Sequence, residues 1–549
     1  MLPPPFTFGL SPDRYPDWYP GQEAALSWLL EGLLEGPLEE SPKTPPMTPP
    51  TTPRFLALSA PTGSGKSVLA VLSGLLSGRR TLILTATKGL QDQYRDSVSF
   101  ADSPTLIADI RGQNAYPCRI LDYPTAEDGP CHLGFSCPVR DRGRCPYHNA
   151  LSQARMTATQ VVVSNYTCWL ALSKYGSGLG DFNLLVCDEA HRAFDCLSDF
   201  LSVNIRNEEL LPLGASIPEK DLDWSTWARG LLPRVDGLLS ALRSDLNDRY
   251  RGGFSLSVRD TRSVRRLQSL LNKLERLATI STEWIATRRF DNFSLTPLWP
   301  GTQAEGSLFR SIPRVVLMSA TLTPKALALL DVPPDAYSLY SMPSSFPPTS
   351  RPVIHVPTVR LDYRSTESDL ALWAARIDQI IEQRPDKKGI VHTVSYARRD
   401  TFLHLSRNKD RLISHESASN LAEAVSNFRR TSSPMVLVSP SLSEGWDFPY
   451  SDCEYVVIGK VPYEDTREPV SRARAEHDPE LPSYHAMQTI VQASGRAMRS
   501  ASDRCEVIII DDNWRWFYRR YHPFAPEWFQ QAVVWNQTMP SPLAKVVKR

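Results

Sequence analysis

Apolar residues are distributed along this chain in short unbroken blocks rather than in alternation with polar ones. The segments FLALSA (55–60), TLILTA (81–86), VVVSN (161–165), LLVCDE (184–189) and RVVLMSA (314–320) make a first series. GIVHT (389–393), MVLVS (435–439), YVVIG (455–459) and EVIII (506–510) make a second. Apolar runs of this length with polar flanks predict strands buried on both faces, as in parallel sheets. Helical apolar spacing appears between them, at 22–35 and in VLAVLSGLL after the first strand. Strand–loop–helix–strand units predict an α/β fold with crossover helices. Between 205 and 300 the pattern turns helical, with Leu267, Leu270, Leu271, Leu274 and Leu277 on one face. A proline-rich stretch at 37–53 has no apolar face and predicts a solvated loop.

The organisation that follows is two α/β domains, the first interrupted twice. The first occupies 1–110, 151–204 and 301–330; a cysteine-bearing insert fills 111–150, a helical insert 205–300, and the second domain runs over 331–549. A length of 549 residues accommodates such an arrangement at ~100–200 residues per domain. The net charge of +1 gives no global field, so a basic surface has to be local. From Arg249 to Arg289 there are ten Lys and Arg against three Asp and Glu, which marks one candidate face; for any single arginine there, a solvated surface is the simpler reading. The opening MLPPPFTFGL lacks a basic, then apolar, signal pattern, and no apolar run reaches the ~18 residues of a membrane span. A cytoplasmic protein is expected, or a nuclear one in a eukaryote. Nine cysteines, an odd number, argue against a disulfide framework in that compartment.

Three segments carry chemistry. Ala60-Pro-Thr-Gly63-Ser64-Gly65-Lys66-Ser67 has the form of a phosphate-binding loop, with Ala60 in place of the usual first glycine. Gly63 and Gly65 let backbone N–H groups turn inward on phosphate oxygens, next to a helix N-terminus. Lys66 would reach the outer phosphates of ATP and Ser67 would place its hydroxyl on Mg²⁺. Asp188-Glu189-Ala190-His191 ends an apolar strand, where open parallel sheets place their ligand-binding residues. Asp188 would hold Mg²⁺ and Glu189 would orient or deprotonate the attacking water. Far downstream, Gln492, Arg496 and Arg499 recur at helical spacing. Arginine suits transition-state phosphate charge because its planar fork is always ionised.

Cys118, Cys131, Cys137 and Cys145 form a fourth group, spaced C-x12-C-x5-C-x7-C. By spacing alone this is equivocal. It lacks the short C-x2-C pairs of structural zinc and small ferredoxins, and His132 and His148 leave a mixed Cys/His zinc site open. Free thiols are the third reading, weakened because so poor a local core usually needs a metal to fold.

In this order the segments resemble the XPD/DinG (Rad3-like) group of superfamily 2 helicases. Tyr19-Pro-Gly-Gln22 resembles the group's glutamine motif, which lies near the adenine. APTGSGKS resembles motif I, and TATKGLQDQY (85–94) motif Ia, which touches the DNA backbone. DEAH (188–191) resembles motif II, MSATL (318–322) motif III and HTVSYARR (392–399) motif IV. SPSLSEGWDF (439–448), with Asp447, resembles motif V, and QASGRAMR (492–499) motif VI. The resemblance covers most of the chain. It implies two RecA-like domains that clamp ATP between them, with Arg496 and Arg499 supplied by the second. It implies a 4Fe–4S cluster on the four cysteines, an arch-like domain in the helical insert, and movement 5′→3′ on single-stranded DNA beside a forked or tailed duplex. A monomer and a role in DNA repair are the matching expectations. Two other readings stay open at this point, an RNA-directed or non-unwinding translocase and an ATP-switched binding module. Tyr116, Tyr166, Trp169 and Trp446 lie in or beside motifs and could stack bases, whereas Trp514, Trp516, Trp528 and Trp535 read as packing anchors.

Overall fold

The computed structural model describes residues 2–10, 12–13, 15–34, 52–97, 106–120, 123–133, 137–176, 178–218, 223–253, 256–280, 283–440, 448, 452–495 and 503–535. Most of the proline-rich stretch at 37–53 therefore lies outside the described residues, as do Glu444, Trp446, Asp447, Arg496 and Arg499.

Each apolar series becomes one sheet. The first has seven parallel strands in the spatial order Tyr337–Ser341, Phe55–Ser59, Arg314–Ser319, Leu184–Asp188, Thr81–Thr85, Val161–Asn165 and Ile107–Asp109. The second, also all parallel, runs Leu412–Ser414, Val436–Ser439, Gly389–His392, Tyr455–Ile458, Glu506–Asp511, Val353–Val359 and Val533–Trp535. The inner strands are buried at every position, because helices cover both faces. Separate apolar layers line the two faces of each sheet, for example Leu82 and Leu84 on one side of the first and Ile83 on the other.

The second insertion is more than helical. Two long helices, Trp224–Arg251 and Val258–Ala278, pack along each other, and Ser257 and Asp260 form a capping box at the second. At their root lies an antiparallel sheet of Val203–Arg206, Asn292–Pro297 and Trp284–Arg289. Its strands alternate buried and partly exposed positions, since only one face meets the core.

The basic run at 249–289 is largely committed within the molecule. Arg262 donates to Asp128 (2.9 Å), and Arg265 pairs with Glu127 and Asp128, so the helical insert holds the cysteine-bearing segment. The Arg262 bond holds the Asp128 carboxyl below its ordinary range. Arg249 pairs with Asp260, Lys273 with Glu209 and Arg289 with Glu468 of the second domain. For these side chains the local excess of positive charge builds the fold. Among the described residues no helix is long and apolar enough to cross a membrane.

Candidate nucleotide site between the two domains

The loop after strand Phe55–Ser59 turns through Gly63 (φ 77°) and Gly65 (φ 75°), both in the left-handed region that favours glycine. A side chain at Gly65 would also collide with the Gln22 amide, which donates to the carbonyls of Ser64 (3.4 Å) and Gly65 (3.3 Å). Gln22 is thereby fixed against the loop, and its Oε1 accepts the Tyr19 N–H at 3.1 Å. Lys66 opens the helix Lys66–Leu76. Its buried ammonium donates to the Ala60 carbonyl (3.4 Å) and lies 3.9 Å from Glu189 Oε1. Ser64 Oγ is buried with no hydrogen-bond partner among the described residues. A buried polar atom left unpaired is costly, which marks this loop as a place for a ligand's polar atom.

Asp188 ends its strand 3 % exposed, and Glu189 follows in the left-handed conformation (φ 50°, ψ 48°). That turn lets the Glu189 N–H bond Asp188 Oδ1 (2.9 Å) while the Glu189 carboxylate faces Lys66 and Ser319. Tyr94, buried in the second half of helix Lys88–Ser97, donates to Asp188 Oδ2 at 3.0 Å, and Ser67 acts on its hydroxyl. It stands beside both groups that the sequence offers for Mg²⁺. Sequence reasoning placed this segment on the nucleic-acid backbone and missed the tyrosine's part in the site.

Burial, and then the charge of Glu189, push the Asp188 carboxyl up to about 6 against the pull of Lys66. The sign gives a test. The folded pKa lies above the unfolded value, so the favourable contribution is complete below the unfolded pKa and is lost as pH rises through about 6. Asp188→Asn should therefore stabilise the ligand-free protein above pH 6, by roughly 2–3 kcal/mol. The gain should shrink as pH falls from 8 to 5. Urea midpoints of the two proteins across that range, without nucleotide or Mg²⁺, check it.

The second domain reaches this site through helix Leu481–Ser494. Gln492 Nε2 donates to Thr321 Oγ1 (3.1 Å) and lies 3.5 Å from His191 Nε2. His191 Nδ1 in turn meets Ser319 Oγ at 2.7 Å, and Ser319 donates to Glu189 Oε2 at 3.3 Å. A chain of polar contacts thus links Gln492 to the carboxylate facing Lys66. Gly495 rests on Thr62 of the phosphate loop so closely that a side chain there would strike its hydroxyl. Trp528 of the second domain donates to the Ala320 carbonyl (3.2 Å). His191, Ser319 and Thr321 lie inside segments the sequence singled out, but their part as connectors is visible only in three dimensions.

The cysteine-bearing segment gathers its thiols. A Cβ built on Gly129 would lie 3.5 Å from both Cys118 Sγ and Cys131 Sγ, so the two thiols flank this residue. Cys137 and Cys145 are buried, and both act electrostatically on Cys118 and Cys131. Burial first, then these neighbours, push the Cys131 thiol up to about 11. His148 is not coupled to the thiols in this way: burial, then Arg140 and Arg155, lower its pKa. The His132 side chain lies outside the described residues. Among the described residues no three Cys, His, Asp or Glu side chains form a closed metal site. Cys118 and Cys131 thus flank Gly129, with Cys137 and Cys145 near enough to act on both. Of the stacking candidates, Tyr166 and Trp169 are core residues: Tyr166 donates to the Asp188 carbonyl and Trp169 to that of Leu308. Tyr116 is half-buried against Tyr147.

Residues 377–532 match the family model of the helicase C-terminal domain. No curated protein matches the chain. Among solved structures it resembles an XPD helicase (TM-score 0.60, 17% identity, covering 94% of this chain and 99% of that one). Xpd4 of S. tokodaii is similar at TM-score 0.57 and 16% identity, and an apo XPD at 0.55 and 15%, each with 94% of this chain and 99% of the other covered. The match to the helicase C-terminal domain lies within the second α/β domain, and the chain as a whole has the two-domain, RecA-like fold of these XPD structures.

Proposed function

We propose that this protein is an ATP-dependent DNA helicase that moves 5′→3′ on single-stranded DNA and parts an adjoining duplex. The observation that carries the reading is the polar chain from Lys66 and Glu189, through Ser319, His191 and Thr321, to Gln492 on the other domain. A nucleotide site shared by two domains converts the loss of one phosphate into relative domain movement. Gln22, Gly63, Ser64, Gly65, Lys66 and Ser67 would bind the nucleotide, and Ser67 and Asp188 would hold Mg²⁺. Glu189 would take the proton of the attacking water. Gln492, Arg496 and Arg499, with Asp447, would complete the site from the second domain when the cleft closes, and the arginines would neutralise charge developing on the γ-phosphate. DNA as substrate and the polarity come from the resemblance of the motifs.

Cys118, Cys131, Cys137 and Cys145 would hold a 4Fe–4S cluster. When bound, it would serve as a structural crosslink for a segment with little core of its own. The salt bridges from Arg262 and Arg265 would pass that rigidity to the helical insert.

One preparation tests both parts. Anaerobically purified protein should contain about four irons per chain, and its ATP hydrolysis should rise when single-stranded DNA is added. Zinc in place of iron would remove the cluster. Hydrolysis that responds to RNA but not DNA, or to neither, would transfer the reading to an RNA translocase or to an ATP-switched binding module.

A further inference from the structure

The edge of the second sheet bears a cavity of about 560 Å³ that shares no residue with the nucleotide site. Its walls include His355, Arg515, Tyr518, Arg519, His522 and Trp535. His355 is buried, 3 % exposed, with Nε2 against the Asp511 carbonyl at 3.2 Å. Trp535 ends the edge strand Val533–Trp535 and is 46 % exposed. Its ring stands 5.7 Å from His355 and 5.8 Å from Tyr518. Arg515 and Arg519 lie one turn apart on helix Asn513–Tyr521, both exposed and neither paired with a carboxylate among the described residues. Asp512, whose charge acts on His355, is engaged by the Thr358 N–H at 2.7 Å.

This differs from what a packing anchor requires. Trp514 and Trp528 are buried and fill the core of the second domain, whereas Trp535 presents half its surface beside two guanidinium groups that pair with no carboxylate among the described residues. Residues 536–549 carry Lys545, Lys548 and Arg549 and no acidic side chain. The volume is within the range of ligand sites, ~300–1,000 Å³. Aromatic faces stack nucleobases of any sequence, and arginine forks grip phosphate.

We propose that this cavity is a second nucleotide-binding site, which takes a nucleobase against Trp535 and Tyr518 and its adjoining phosphate on Arg515 and Arg519. That unit could be supplied by a nucleic-acid strand or by a free nucleotide; only the first source rests on the motor function proposed above. The test uses the full chain with Lys66→Ala, which disables the first site, alone and combined with Trp535→Ala or with Arg515→Ala and Arg519→Ala. Oligo-dT affinity is measured by fluorescence anisotropy at several salt concentrations, and bound AMP by equilibrium dialysis. A strand source predicts about tenfold weaker oligo-dT binding in the cavity variants, with a salt slope reduced by about 1–1.5 in the arginine pair. A free-nucleotide source predicts unchanged or absent oligo-dT binding and AMP binding that the cavity variants lose. If the unaltered chain binds no oligo-dT yet AMP binding depends on the cavity, the motor function fails and this site stands. Cavity variants that alter neither oligo-dT nor AMP binding overturn the proposal. Thermal unfolding of each variant checks that these exposed positions leave the fold intact.

Discussion

Glu189→Gln is expected to lower ATP hydrolysis by about 10²–10⁴-fold, the usual contribution of a positioned base, while nucleotide affinity stays within a few-fold. Gln keeps the volume and the capacity to accept from Ser319 Oγ, which lies 3.3 Å from Glu189 Oε2, and the left-handed backbone is set by residue position rather than by charge. What is lost is the ability to take a proton. The glutamate side chain is also partly exposed, so its neutral replacement leaves no charge buried without a partner other than Lys66, which keeps the Ala60 carbonyl and, in the complex, the phosphates. Lys66→Ala should behave differently and lose nucleotide affinity together with turnover. Single-turnover hydrolysis beside a fluorescent-nucleotide binding assay separates the two. If Glu189→Gln hydrolyses ATP at the unaltered rate, the base lies elsewhere. If it fails to bind nucleotide, Glu189 acts in binding rather than in catalysis.

How far the sequence disclosed this site depends on how far apart its partners lie in the chain. The inner strands of both sheets were legible as unbroken apolar runs because crossover helices bury both of their faces. VVVSN became Val161–Asn165, and LLVCDE became Leu184–Asp188 followed by a turn at Glu189. The edge strands were not legible. Tyr337–Ser341 is partly exposed along its length, and Ile107–Asp109 and Leu412–Ser414 are too short to show a period. The antiparallel sheet of the second insertion was hidden because WIATRR and NFSLTP are only half buried and resemble loop sequence. Lys66, Asp188 and Glu189 could be read from local motifs. Tyr94 could not, since it acts on Asp188 from 94 positions away and nothing in its own surroundings marks it. The arginines of 249–289 show the opposite failure, because composition registered their charge but not Glu127 and Asp128, more than 130 residues upstream. Trp535, like Trp514 and Trp528, lies outside the motifs and reads as a packing anchor, and burial separates them.

The largest expected stability effect lies at Arg384. It sits in the charged segment EQRPDKK, yet its side chain is fully buried. It forms a two-pronged bond to Glu506 at the start of strand Glu506–Asp511, with Nε to Oε2 at 2.9 Å and a second nitrogen to Oε1 at 3.1 Å. Glu506 is 1 % exposed, and the guanidinium also donates to the Ile380 carbonyl and lies 5.5 Å from the Tyr455 ring centre. Taking both charges out of water offsets most of their attraction, so the intact pair adds little net stability. Breaking it is another matter. Arg384→Met should leave the Glu506 carboxylate dry and without its partner at a cost of about 3–5 kcal/mol, and Glu506→Leu should strand the guanidinium at a similar cost. Replacing both, Arg384→Met with Glu506→Leu, should recover most of the loss, because two apolar side chains suit that interior better than one unpaired ion. Urea unfolding of the three variants measures the coupling directly. Additive losses in the double variant would mean that the two side chains act separately. Recovery would show that the second domain, whose Gln492 and Trp528 must meet the first across the nucleotide cleft, depends on a buried pair joining the chain just after helix Glu367–Glu382 to its sheet.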